Sequence, residues 1–195
     1  GAVKKDIARI DEHFAAFMKR NGASDDDAAQ IMGAQRRSTF LGLRPPREFI
    51  RIRDGDVVAM GQRDWRVITA GGHSPDHACM WAPDINVLIS GDQILPRISS
   101  NVSVFPTEPD ADPLSDWLRS CRKLKDTVPA DVLVLPSHNE PFRGAHKRLD
   151  ALIDGHEVGL KRLLARLDEP RRAVDLFTAL FARAIEKDSL GMATG

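Results

Sequence analysis

From Trp65 to Leu95 the chain reads WRVITAGGHSPDHACMWAPDINVLISGDQIL. Three short apolar runs are punctuated by two small-residue turns, and each turn presents a metal-type side chain. His73 follows Gly71-Gly72, and Asp92 follows Gly91. A third candidate, His138, comes directly after another apolar run in VLVLPSHNE. A buried strand with a polar ligand at its carboxyl end, repeated three times, is how a layered α/β protein builds a site at one sheet edge. Neutral imidazoles with a carboxylate suit a borderline-soft divalent ion such as zinc. The pattern therefore predicts an α/β fold that gathers His73, Asp92 and His138 around one cation-sized gap.

Each of the three has a plainer reading when taken alone. Asp92 after Ser90-Gly91 can be a turn cap, and His138 can be a satisfied loop histidine, although Pro136 before it and Asn139-Glu140 after it suggest a pinned, polar loop instead. Their shared strand-end context favours the ligand role. His73 and His77 would share one helix face, but Gly71-Gly72 before them and Pro75 between them argue for a loop. His77 then opens the next strand as a structural hydrogen-bonding group. His13, His146 and His156 fall on helices without partners at ligand spacing and read as surface or packing residues.

The surroundings set the architecture. Ile7, Ile10, Phe14, Phe17 and Met18 make one helical stripe over Val3–Arg20, which Asn21-Gly22 ends. Ser24 with Asp27 forms a capping-box variant for a second helix, Asp25 to Gln35. Arg44-Pro45-Pro46-Arg47 is a connector. EFIRI, VVAM and WRVITA, separated by Asp54-Gly55 and Gly61-Gln62, predict a strand meander. Residues 95–112 read as a long irregular loop on the substrate side. Helices are expected from Pro113 to about Lys125, over Ala145–Leu167, and from Ala173 to about Ile185. VLVLP between the first two is a buried strand.

Composition narrows the class. The 195 residues are 42% hydrophobic and 29% charged, as in globular proteins. Lys plus Arg and Asp plus Glu number 28 each, so net charge is zero and a strong non-specific grip on nucleic acid is disfavoured. No apolar run approaches the roughly 20 residues of a membrane span, and no signal-peptide pattern opens the chain. Cys79 and Cys121 make no disulfide framework and fit a reducing compartment, so a cytoplasmic location is expected. Both read as small buried thiols.

GGHSPDHACMW, ISGDQILP and LPSHNEPF, in this order and strand context, resemble the second half of the metallo-β-lactamase-fold hydrolases, from about Val57 to about Arg166. The resemblance implies an αββα sandwich, incomplete here, with the second-half sheet and its flanking helices present. It makes His73 a metal ligand, Asp92 the bridge between two metal ions, and His138 a ligand of the second. Two zinc ions are implied as cofactors of the intact protein. The family's first motif, His-x-His-x-Asp-His, has no counterpart, since no His-x-His occurs. The chain, which opens Gly-Ala-Val, therefore reads as a fragment with part of the ligand set, inactive alone.

The expected division is 1–48 as a helical insert, 49–142 as the half-domain and 143–195 as a helical extension. That extension resembles the winged-helix tail of a branch with RNA-cleaving and thioester-cleaving members. The implied reaction is hydrolysis of a small-molecule ester, thioester or lactam. Asp92 also serves the catalysis, and Arg97 and Asn101 contact an anionic part of the substrate. Arg97 can grip a carboxylate or phosphate bidentately, or stand as a solvated loop arginine. The alternatives are a nuclease of the same fold and a metal-free, non-catalytic fragment that pairs its exposed sheet edge with another copy.

Overall fold

A computed structural model describes residues 12–29, 32, 48–105, 108–181 and 185. The expectations for the remainder of the two leading helices and for the Arg44–Arg47 connector lie outside those residues. The chain divides into two compact units. One comprises Arg47–Ser103 with Ala111–Glu157, and the other Gly1–Pro46, Val104–Asp110 and Val158–Gly195.

The first unit is a mixed α/β layer structure. Its sheet has five strands in sequence order: β1 (Val57–Met60), β2 (Arg63–Ala70), β3 (His77–Ala82), β4 (Val87–Gly91) and β5 (Leu133–Pro136). The first four form an antiparallel meander, and β5 joins β4 in parallel. A parallel neighbour needs a crossover connection, here supplied by helix α1 (Pro113–Thr127). Asp112 caps α1 by accepting from the Ser115 N–H, with Pro113 in the first turn where no N–H is required. Helix α2 (Ala145–Leu164) follows β5.

Ile68, Cys79, Leu88 and Val134 line one sheet face, paired in the register Ile68–Cys79 and Leu88–Val134. Trp117, Leu118, Cys121 and Leu124 of α1 and Leu149, Leu152 and Ile153 of α2 complete this core. The opposite face carries the row Val67–Met80–Ile89–Leu135, also apolar.

In the second unit, residues 12–20 and 25–29 are helical. The first stretch ends in a Schellman arrangement: Ala23 N–H reaches Met18 O and Gly22 N–H reaches Lys19 O, with Gly22 at φ +94°. The capping box forms as expected, with Asp27 N–H donating to Ser24 Oγ and Ser24 N–H to Asp27 Oδ2. Met18 and Ala28 are buried there beside Phe14 and Phe17.

Two expectations are corrected. EFIRI is not a strand: residues 48–53 are irregular, and Ile50 is 92% exposed. A strand persists only through pairing, and among the described residues β1 pairs with β2 alone. The last helix is also shorter than expected. A 3-10 turn, Ala173–Leu176, leads into the single turn α3 (Phe177–Leu180), and Phe181 is already extended. With no side-chain cap, little offsets the cost of helix nucleation. No strand of a wing lies among the described residues of this tail.

Candidate functional site

Three strand ends of the first unit converge. His73 sits in the loop between β2 and β3, Asp92 just past β4, and His138 two residues past β5. His73 Nε2 lies 3.4 Å from Asp92 Oδ2, and His138 Nε2 lies 3.4 Å from Asp92 Oδ1. The carboxylate thus stands between the two imidazoles, presenting one oxygen to each. His73 and Asp92 are about 30% exposed, and His138 is 65% exposed at the rim. As they stand, no group of three or more His, Cys, Asp or Glu side chains among the described residues closes into a metal-holding shell. The trio meets pairwise, through Asp92.

The local backbone explains the convergence. Gly72, at φ +113°, lies against the Trp117 backbone and turns the chain so that His73 faces β4. A register shift between Ile89 and Gly91 bulges β4 at Ser90, and such bulges re-aim the side chains beside them. Gly91, at φ +54°, follows the bulge with the His77 ring packed on it. His77 Nε2–H donates to Ser90 O over 3.0 Å, the hydrogen-bonding role expected for it. Beyond β5, Ser137 N–H still bonds Gly91 O, and Asn139 at φ +67° then turns the chain.

The hydrogen bonds also fix a tautomer. His73 Nδ1 lies 2.8 Å from the Asn101 carbonyl, which can only accept, so Nδ1 carries the proton. In neutral His73 the Nε2 lone pair then faces a carboxylate oxygen. An imidazole nitrogen and a carboxylate oxygen that face one another are the donor types a divalent cation accepts.

The loop after β4 is held from below. Arg148 of α2 donates from Nε to Leu95 O (2.7 Å) and from Nη2 to Ile98 O (2.8 Å). Arg97 donates through Nε and Nη2 to Glu140 Oε1, which holds the Glu140 carboxyl below its usual range. Asn101 meets the site through its carbonyl, while its amide donates to Ser103 Oγ. His156 lies edge-on to Trp117 with ring centroids 4.9 Å apart, and bonds Ser99 Oγ through Nε2. His146 bonds Val128 O. Both are packing residues.

Two serines escaped the sequence reading. Ser137 Oγ donates to Asp92 Oδ1, and Ser100 Oγ donates to the Asp92 carbonyl. A hydroxyl immediately before a candidate ligand, as in LPSH, was the only available signal.

With a five-stranded sheet, flanking helices and this strand-end trio, the chain belongs to the metallo-beta-lactamase superfamily, whose family model matches residues 9–138. Among solved structures it is similar to a beta-lactamase domain protein from Burkholderia ambifaria, at 38% identity and a TM-score of 0.74. That match covers 87% of this chain and 52% of the other. A metallo-beta-lactamase family protein from Thermus thermophilus is similar at 30% identity and a TM-score of 0.65, over 76% of this chain and 48% of that one. Human acyl-coenzyme A thioesterase MBLAC2 is 30% identical over 121 residues, which are 61% of this chain and 41% of the thioesterase. The chain spans less than half the length of the curated relatives it matches.

Proposed function

We propose that this chain carries part of the active site of a metal-dependent hydrolase, with His73, Asp92 and His138 as metal ligands and a thioester as the favoured substrate. The observation that carries the reading is the Asp92 carboxylate set between two imidazole Nε2 atoms, each 3.4 Å from one of its oxygens. The donor set, two imidazoles and a carboxylate, is one that zinc accepts. Orientation of His73 by a carbonyl on its other nitrogen is typical of metal-bound histidines. The thioester preference is supported by the similarity to MBLAC2, and ester or lactam substrates remain within the same reaction class.

When bound, zinc supplies a Lewis acid that polarises a carbonyl and activates water at neutral pH. The chain's own residues do the rest. Asn101 holds the His73 tautomer, Asp92 sets one carboxyl oxygen against each imidazole, and the exposed His138 stands at the substrate side. Arg97 is the cation available to an anionic substrate group, once its exposed pair with Glu140 opens. The free, buried Cys79 and Cys121 fit a reducing compartment, which supports a cytoplasmic location as part of this proposal.

The test is zinc stoichiometry by plasma mass spectrometry for this chain and its His73→Ala and Asp92→Ala variants. It is paired with release of coenzyme A from acyl-coenzyme A by the full-length gene product. Each substitution is expected to lower bound zinc and to abolish hydrolysis. Unchanged zinc content in both variants rejects the proposal.

A further inference from the structure

We infer that Ser137 is a positioning residue that locks the Asp92 carboxylate between His73 and His138 before any cation arrives. The inference rests on the metal-site reading above and deepens it.

An ionised carboxylate only accepts, so the contact between Ser137 Oγ and Asp92 Oδ1 is a hydroxyl donating to the oxygen that faces His138. That bond distinguishes the two oxygens. Oδ1 is tethered, and rotation about the Asp92 side chain would break the tether. Oδ2 is thereby kept towards His73 Nε2.

The backbone makes the contact available. Residues 137 and 138 would point to opposite faces if β5 continued, because strand side chains alternate. The strand stops at Pro136 instead, and Asn139 turns at φ +67°. One last ladder bond, Ser137 N–H to Gly91 O at 3.1 Å, seats Ser137 beside the peptide that leads into Asp92. Both consecutive side chains then reach the same carboxylate. Ser100 Oγ on the Asp92 carbonyl fixes the main chain of the same residue, which leaves its side-chain torsion as the freedom that Ser137 removes. An aspartate with no such tether, about 30% exposed, would exchange among staggered rotamers at little cost.

Ser137 is itself exposed, so its loss leaves the core untouched. The test compares the parent, Ser137→Ala and Ser137→Thr in metal-free form by three-bond couplings that report the Asp92 χ1 angle. A cobalt(II) titration followed by its visible spectrum runs alongside. The parent and the threonine variant, which keeps the hydroxyl, are expected to show one Asp92 rotamer, and the alanine variant an average over several. Cobalt affinity is expected to fall about tenfold in Ser137→Ala and to return in Ser137→Thr, the size of effect seen when a ligand loses its supporting hydrogen bond. An unchanged single rotamer in Ser137→Ala overturns the inference, as does rotamer averaging in the parent. Cobalt uptake by none of the three proteins would reject the metal-site reading, while the couplings still decide the role of Ser137.

Discussion

At Gly72 a single hydrogen stands where any side chain would collide. A Cβ there would lie 2.2 Å from Trp117 Cβ and 2.6 Å from its Cα, and the backbone is already at φ +113°. Trp117 is wholly buried in the core and cannot withdraw. Gly61, at φ +64° with nothing near it, isolates the backbone part of the cost. Gly61→Ala is expected to lose about 1 kcal/mol from left-handed strain. Gly72→Ala is expected to lose about 3 kcal/mol, because overpacking against a fixed helix is added to strain. Urea unfolding of the two variants checks this, and equal losses would show that the Trp117 contact yields. The same scale shows what could be read from sequence at the site. His73, Asp92 and His138 were legible because each stands alone after an apolar run. The Asn101 carbonyl, Ser100 and Ser137 were not, since carbonyls and hydroxyls are present throughout the chain and only the fold selects which ones reach His73 or Asp92.

Among the elements, the turn before β1 is fastened to α1 by one carboxylate. Asp54 Oδ1 accepts from Thr69 N–H at 2.8 Å and from Lys123 Nζ at 2.6 Å, and Lys123 also reaches Thr69 O. The Lys123 hydrogen bond, first among several contacts and against some desolvation, holds the Asp54 carboxyl below its ordinary 3.8. A carboxyl depressed in the folded state binds its proton more weakly there than in the unfolded chain. Its contribution is therefore present above the ordinary value and is lost as pH falls through the depressed one. Asp54→Asn lacks this contribution at every pH. Its urea midpoint is expected below the parent's at pH 7, with the two converging as pH falls below the ordinary 3.8 and through the depressed folded value. A gap between them that does not narrow on acidification would show that the ion pair contributes nothing. Elements were legible where chemistry is local. Gly61-Gln62 set a hairpin, Asp112-Pro113 started α1, and Gly22 stopped a helix. EFIRI was misread because aromatic and β-branched residues before a tight turn mark a chain able to form a strand, whereas a strand exists only beside a partner, and pairing is not a local property.

At the largest scale, α1, α2 and the sheet of the first unit share one core, and both thiols lie inside it. Cys79 on β3 and Cys121 on α1 are fully buried members of that cluster. Burial pushes each thiol up to about 12 from an ordinary 9.0. The thiolate is the reactive form, so at pH 8 each site holds roughly a thousandfold less of it than an exposed cysteine. Direct attack on an aromatic disulfide reagent is thereby suppressed, and reaction proceeds through opening of the core. Two thiols in one cluster should then be exposed by the same event. The native protein is expected to react with both at a single slow rate that rises with urea in step with global unfolding. A fast phase of one equivalent would mean that β3 or α1 opens separately, and Cys79→Ser and Cys121→Ser variants identify which. Joint protection would show that the helices and the sheet bearing His73, Asp92 and His138 open as one cooperative body, so that the strand ends keep their geometry until the whole unit yields.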